Sequence, residues 1–160
     1  DQSQQFEEFT GMGTTLVAVL ISGKWATIVN VGDSRAYLYR EHTLYRLTKD
    51  QTLAQLKVDA GFYQSVKDAS ERELHQLTEY IGKDPTKKYL RPLESDWFSL
   101  QSGDGILLCS DGLYDMCTDD EISEIMSKNS KTTSLKLVNR ALKNGGSDNI
   151  TCMVIDCIEE

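Results

Sequence analysis

Trp25-Ala26-Thr27-Ile28-Val29-Asn30-Val31-Gly32-Asp33-Ser34-Arg35-Ala36-Tyr37-Leu38-Tyr39 is the stretch on which the fold turns. Two runs rich in β-branched and aromatic residues flank a Gly-Asp-Ser breaker, so both read as strands and the breaker as the turn between them. Toward the N-terminus, Thr14–Ile21 is a further run of this kind, bounded by Gly11-Met12-Gly13 and by Ser22-Gly23. The Ser22-Gly23 pair reads as a hairpin turn into Trp25. Toward the C-terminus, Glu41-His42 separates Tyr39 from one more strand at Thr43–Leu47. Residues 14–47 are therefore expected to form an antiparallel meander, because the connections are far shorter than the dozen or so residues of a parallel crossover.

Beyond residue 47 the pattern alternates between helix and strand. Leu53, Leu56 and Ala60 have helical spacing and stop at Gly61, and Ser70 with Glu73 forms a capping box for a short helix through Leu77. Strands are expected at Trp97–Leu100 and Ile106–Cys109, with Gly103-Asp104-Gly105 as the turn between them. Thr118 and Glu121 make a second capping box, opening a helix whose apolar face is Ile122, Ile125 and Met126. Ser134 is expected to cap another helix, with Leu135, Val138, Ala141 and Leu142 on its inner face and Asn144-Gly145-Gly146 at its end. The last strand is Ile150–Ile155.

A chain of 160 residues suits one domain with a core of its own. It carries 17 Lys+Arg against 25 Asp+Glu, a formal charge of −8, and no Lys/Arg cluster stands out. Phosphate backbones and anionic headgroups repel such a surface, so neither nucleic acid nor membrane is the expected partner. The longest apolar run, Leu16–Ile21, is too short to span a bilayer, and no basic-then-apolar leader is legible at Asp1–Gln5. The cysteines, Cys109, Cys117, Cys152 and Cys157, form no CxxC pair, which argues against zinc. They read as reduced, buried thiols of a cytoplasmic protein.

Three aspartates stand at strand ends: Asp33 after the strand ending at Val31, Asp111 after Ile106–Ser110, and Asp148 just before the strand that starts at Ile150. If the last two strands pair antiparallel, Asp111 and Asp148 meet at one sheet edge. Both have small neighbours, Ser110 and Gly112 for the first and Gly146, Ser147 and Asn149 for the second, which let ligand atoms approach closely. Clustered carboxylates repel unless a cation neutralises them, and an oxygen-only set suits Mg²⁺ or Mn²⁺. Gly-Asp and Ser-Asp-Gly are also ordinary turn chemistry, so the pattern by itself leaves both readings open.

Four blocks in order carry a resemblance: Phe9-Thr10-Gly11-Met12-Gly13-Thr14-Thr15, Val31-Gly32-Asp33-Ser34-Arg35-Ala36-Tyr37, Leu107-Leu108-Cys109-Ser110-Asp111-Gly112-Leu113 and Gly145-Gly146-Ser147-Asp148-Asn149-Ile150-Thr151. The chain resembles the metal-dependent protein phosphatases (PPM family, type 2C), and more closely their bacterial members, over essentially all of its length. The resemblance implies an α+β fold, a four-layer α-β-β-α sandwich of two antiparallel sheets flanked by helices, with residues 1–160 forming one phosphatase domain. It implies hydrolysis of phosphoserine and phosphothreonine on proteins by a metal-activated water at a binuclear Mg²⁺ or Mn²⁺ centre. Asp111 and Asp148 match aspartates of the paired centre, which implies that they are the catalytic residues, acting through metal-bound water. Asp33 with Asp111 matches ligands of a third, weaker metal site. Arg35 is expected to be structural, and Asp59–Ser70 occupies the place of a mobile flap. The implied partner is a phosphorylated protein substrate of a cognate serine/threonine kinase.

The sequence departs from the family pattern at three places. Family members carry, before the Gly-Met-Gly-Thr-Thr block, a segment with a metal-bridging Asp-Gly motif and a phosphate-holding arginine. Here Asp1 lies only a few residues before that block, so the chain is expected to be the C-terminal portion of a domain lacking its N-terminal strands, with a sheet edge open to self-association. A catalytically inactive binding module on the same fold is the alternative. Asp50-Gln51-Thr52 stands where Asp-His-Ser is usual, and Glu79-Tyr80-Ile81-Gly82 where Arg-Ala-Leu-Gly is usual.

Overall fold

The computed structural model describes residues 11–84, 89–128 and 130–158. Phe9 and Thr10 of the first sequence block, and Pro85, lie outside the described residues. Two four-stranded antiparallel sheets form the body. In the first, β1 (Leu16–Ser22) pairs with β2 (Trp25–Val31), whose other side takes two short strands, β5 (Leu93–Glu94) and β6 (Phe98–Ser99). The second contains β3 (Arg35–Arg40), β4 (Thr43–Arg46), β7 (Gly105–Cys109) and β8 (Cys152–Asp156) in the order β4-β3-β7-β8. Both sequence-local hairpins are present. Ser22 faces Trp25 across Gly23-Lys24, one residue later than expected. Glu41 and His42 take left-handed φ values of 49° and 65°, the backbone a tight two-residue hairpin requires.

The meander expected over residues 14–47 is two hairpins in two different sheets. The chain crosses from one sheet to the other at Gly32-Asp33-Ser34, and β2 does not pair with β3. Burial explains why. Ala26, Thr27, Ile28, Asn30 and Val31 in β2, and Ala36, Tyr37, Leu38 and Tyr39 in β3, are buried on successive residues, hence on both faces. A single sheet with one wet face cannot bury both sets, whereas two stacked sheets can. The expected 97–109 hairpin divides the same way: β6 joins β2 and β7 joins β3.

Helices cover the second sheet. Tyr37, Tyr39, Leu107 and Cys109 pack against Leu113, Ile122, Ile125, Met126, Leu137 and Ala141. These come from α3 (Asp111–Tyr114), α4 (Asp119–Met126) and α5 (Thr133–Lys143). The Thr118 capping box forms as expected, with Glu121 N donating to Thr118 Oγ1 at 3.2 Å and Thr118 N donating to Glu121 Oε2 at 3.1 Å. The inner face of α5 differs from expectation. Its buried stripe is Thr133, Leu137 and Ala141, while Leu135 and Leu142 are 58% and 57% exposed. The helix starts after Thr132, not Ser134, and four-residue spacing then selects 133-137-141.

After β4 the chain forms α1 (Leu53–Asp59), a 3₁₀ turn at Val66–Asp68 and α2 (Glu71–His75). The helix expected through Leu77 ends at His75, because Gln76 and Leu77 leave to pair with Leu53 and Thr52. The four cysteines are free, with Cys109 and Cys117 buried.

Candidate metal centre

The crossing turn that separates the sheets also fixes Asp33. Gly32 has φ +98°, and a Cβ there would stand 2.4 Å from Thr15 Cγ2, so only glycine fits. Gln51 closes the turn from both sides: Gly32 N donates to Gln51 Oε1 at 2.8 Å, and Gln51 N donates to Gly32 O at 3.0 Å. Tyr114 Oη donates to Asp33 O at 3.0 Å, and the Thr15 and Ser34 hydroxyls share a bond of 2.8 Å. Asp33 is thereby held 7% exposed, with no lysine or arginine ion pair among the described residues. Burial, then the charges of Asp111 and Asp50, raise its carboxyl to about 6.

Asp111 opens α3 immediately after β7, and Asp148 stands just before β8. These strands pair antiparallel with Cys109 opposite Cys152, which brings the two aspartate segments to one sheet edge. Ser110 secures the approach: its Oγ accepts from Thr151 N at 3.0 Å and donates to Asn149 O at 3.2 Å. Gly112 completes it, since a Cβ there would lie 2.4 Å from Asn149 O. The aspartates also make local bonds, from Gly112 N to Asp111 Oδ1 at 2.9 Å and from Asn149 N to Asp148 Oδ1 at 2.6 Å. Asp33 and Asp111 therefore interact electrostatically, and Asp111 and Asp148 are neighbours through their backbones. Asp148 is exposed.

Two further donors reach this place that sequence reasoning did not assign. Ligand atoms of His75, Asp111 and Asp115 lie within 4.8 Å of one another, and His75 Nδ1 is 4.0 Å from Asp115 Oδ2. Asp115 follows Asp111 by four residues, which is one helical turn, so its proximity was readable once α3 was recognised. His75 arrives on α2 from a distant part of the chain, and no local pattern announces it. Burial, with Asp111 also contributing, raises Asp115. A buried carboxyl lacking a cationic partner, beside further carboxylates and an imidazole, is a donor set suited to a hard or borderline divalent cation. The residues fit that group.

Arg35 points away from any ligand role. Its guanidinium donates to Asp50 from Nε at 3.1 Å and from Nη2 at 2.7 Å, and it stacks over Tyr114 with 3.4 Å to the ring centroid. Arg46 also bonds Asp50. Tyr114 therefore links the Arg35–Asp50 pair to the carbonyl of Asp33. Gln51, one of the two local departures from the usual pattern, donates to Arg91 O at 2.7 Å as well as bracing Gly32. Glu79, at the other departure, pairs with Lys83 at 3.1 Å.

Comparison with known proteins gives a consistent set of relatives. Residues 1–144 match the family described as protein phosphatase 2C. The serine/threonine protein phosphatase PstP of Mycobacterium tuberculosis is 35% identical over 99% of this chain. The serine/threonine phosphatase stp of Listeria monocytogenes is 34% identical over 96% of it. The chain spans 30% of the first relative's length and 60% of the second's. Among solved structures, the catalytic domain of PstP in complex with two manganese ions superposes with a TM-score of 0.78 at 33% identity, covering 99% of this chain and 64% of that one.

Proposed function

The chain belongs to the protein phosphatase 2C family, and on that premise we propose that it carries part of the active site of a serine/threonine protein phosphatase dependent on Mn²⁺ or Mg²⁺. Asp33, Asp111 and Asp148 are the metal-holding residues of this reading, with Asp115 at the end of α3 and His75 on α2 extending the set. The observation that carries it is Asp33: a buried carboxyl raised to about 6, facing Asp111, in a turn braced on three sides. Such an arrangement costs stability without a cation and is relieved by one.

When bound, divalent cations supply the positive charge that polarises a phosphoryl group and acidifies water for attack at phosphorus. The chain's own residues do the positioning. Gln51, Thr15 and Tyr114 hold the Asp33 turn, while Ser110 and Gly112 hold Asp111 beside the Asp148 loop. Arg35, neutralised by Asp50, keeps Tyr114 in place and leaves substrate charge to the metal site.

The substrate in this reading is a protein phosphorylated on serine or threonine, in keeping with relatives that are serine/threonine phosphatases, and a serine/threonine kinase would supply it. Four unpaired cysteines favour a reducing compartment, the cytoplasm. The edge of β1 that no other strand pairs among the described residues, with Leu16 and Leu20 exposed, is where a second copy would pair.

Titration calorimetry with Mn²⁺ tests the site. The 160-residue chain is expected to bind Mn²⁺ weakly and to hydrolyse p-nitrophenyl phosphate slowly. Asp111→Asn is expected to abolish the binding heat. Unchanged Mn²⁺ binding in a folded Asp111→Asn variant would remove Asp111 from the centre.

A further inference from the structure

The sequence reading of an acidic chain without a Lys/Arg cluster is corrected on one face. Residues 127–146 contain Lys128, Lys131, Lys136, Arg140 and Lys143 and no acidic residue, while the rest of the chain carries 12 Lys+Arg against 25 Asp+Glu. The fold gathers four of these cations around a groove between α4 and α5. It has a volume of about 330 Å³ and is lined by Ile125, Lys128, Lys136, Asn139, Arg140 and Lys143. Lys136, Arg140 and Lys143 follow one another at four- and three-residue steps, so they form a single stripe along α5.

These cations are not all committed. Lys128 pairs with Glu124 at 3.0 Å and Arg140 with Glu121 at 2.9 Å. Lys136 and Lys143 are exposed and have no acidic partner among the described residues. An exposed charge that its own fold leaves unanswered costs little in water, but it is free to answer a charge brought from outside.

We propose that this groove docks an acidic peptide segment of a protein partner. Its dimensions select the occupant. From Lys136 to Lys143 the lining of α5 rises about 10 Å, the length of roughly three extended residues. Glu124 and Glu121 of α4 pair with Lys128 and Arg140 at the groove, so a broad anionic surface such as a bilayer or a duplex meets acidic groups as well as the stripe. A single narrow chain needs only the stripe and its two lysines unpaired among the described residues, Lys136 and Lys143. The docking uses no metal and no residue of the metal centre, so it stands or falls apart from the phosphatase reading.

Fluorescence anisotropy with fluorescein-labelled hexa-aspartate, in 50 mM salt with EDTA, tests this on the 160-residue chain. Binding is expected, and 300 mM salt is expected to weaken it at least about tenfold. The double variant Lys136→Glu/Lys143→Glu is expected to weaken it about tenfold or more. Lys24→Glu/Lys67→Glu, with the same change in net charge at remote sites, is expected to stay within about twofold. Circular dichroism checks folding, and Lys136→Gln/Lys143→Gln replaces the first pair if it does not fold, with about a threefold loss expected. No binding, or equal losses in the groove and remote variants, overturns the proposal. Tighter binding of a single-stranded RNA hexamer or of vesicles containing phosphatidylserine also overturns it, in favour of a general polyanion site.

Discussion

Asp33 and Asp148 flank Asp111 from two differently built regions. Asp33 is 7% exposed, in a turn that Gln51, Thr15 and Tyr114 brace with side-chain bonds. Asp148 is exposed, in a loop drawn in by strand register, by the Ser110 hydroxyl and by the missing Cβ of Gly112. Both lie in a short turn beside glycine or serine, so local sequence does not distinguish them. The surroundings do. Desolvation and nearby carboxylates make Asp33 a costly charge awaiting a counter-ion, whereas the Asp148 loop keeps its carboxylate in water and spends its bonds on position.

The most damaging way to break this contrast is at Gly32. Gly32→Ala meets both a left-handed φ of +98° and Thr15 Cγ2 at 2.4 Å from the new Cβ. A loss of about 2–4 kcal/mol is expected, from backbone strain plus overpacking. Thermal unfolding should show it as a fall of roughly 5–12 °C. A fall below about 2 °C would show that the turn yields and is not braced.

Next comes the charge of Asp33, where the sign is opposite. Its folded pKa of about 6 lies above the ordinary 3.8, so the neutral carboxyl stabilises the folded state. That contribution is complete below about pH 3.8 and is lost as pH rises through about 6. In EDTA, Asp33→Asn is therefore expected to match the parent chain near pH 4 and to exceed it by roughly 2–3 kcal/mol at pH 7.5 in urea unfolding. Saturating Mn²⁺ should reduce or reverse that advantage, because the parent gains binding energy that the variant lacks. An advantage independent of pH would mean that Asp33 is not the group responsible.

The smallest effect belongs to the Asp148 side. Ser110→Ala removes the bonds to Thr151 N and Asn149 O and is expected to cost about 1 kcal/mol in the same urea assay. It should also weaken Mn²⁺ binding a fewfold by loosening the Asp148 loop. An effect on stability with none on Mn²⁺ affinity would separate the loop from the metal.

Much of this was legible in the residues. The β-branched runs located β1, β2, β3, β7 and β8 to within a residue or two, and the Thr118–Glu121 box opened α4 where it was expected. The inner face of α5 is not legible in the sequence because Leu135 and Leu142 are as apolar as Leu137, and only packing against α4 and the sheet selects among them. Asp33, Asp111 and Asp148 could be singled out because strand ends and small neighbours are local properties. His75 could not, because it reaches Asp111 through the placement of α2, with no cue beside it in the chain.

The sequence by itself determined the strands, the tight hairpins, the capping boxes and the three aspartates, since each depends on neighbours within a few residues. Tertiary structure decided which sheet each strand joins, because burial of β2 and β3 on both faces requires two stacked layers and no local rule counts layers. It also decided that a chain of net charge −8 carries a basic groove, because α5 turns Lys136, Arg140 and Lys143 onto one face and packing against α4 brings Lys128 to them.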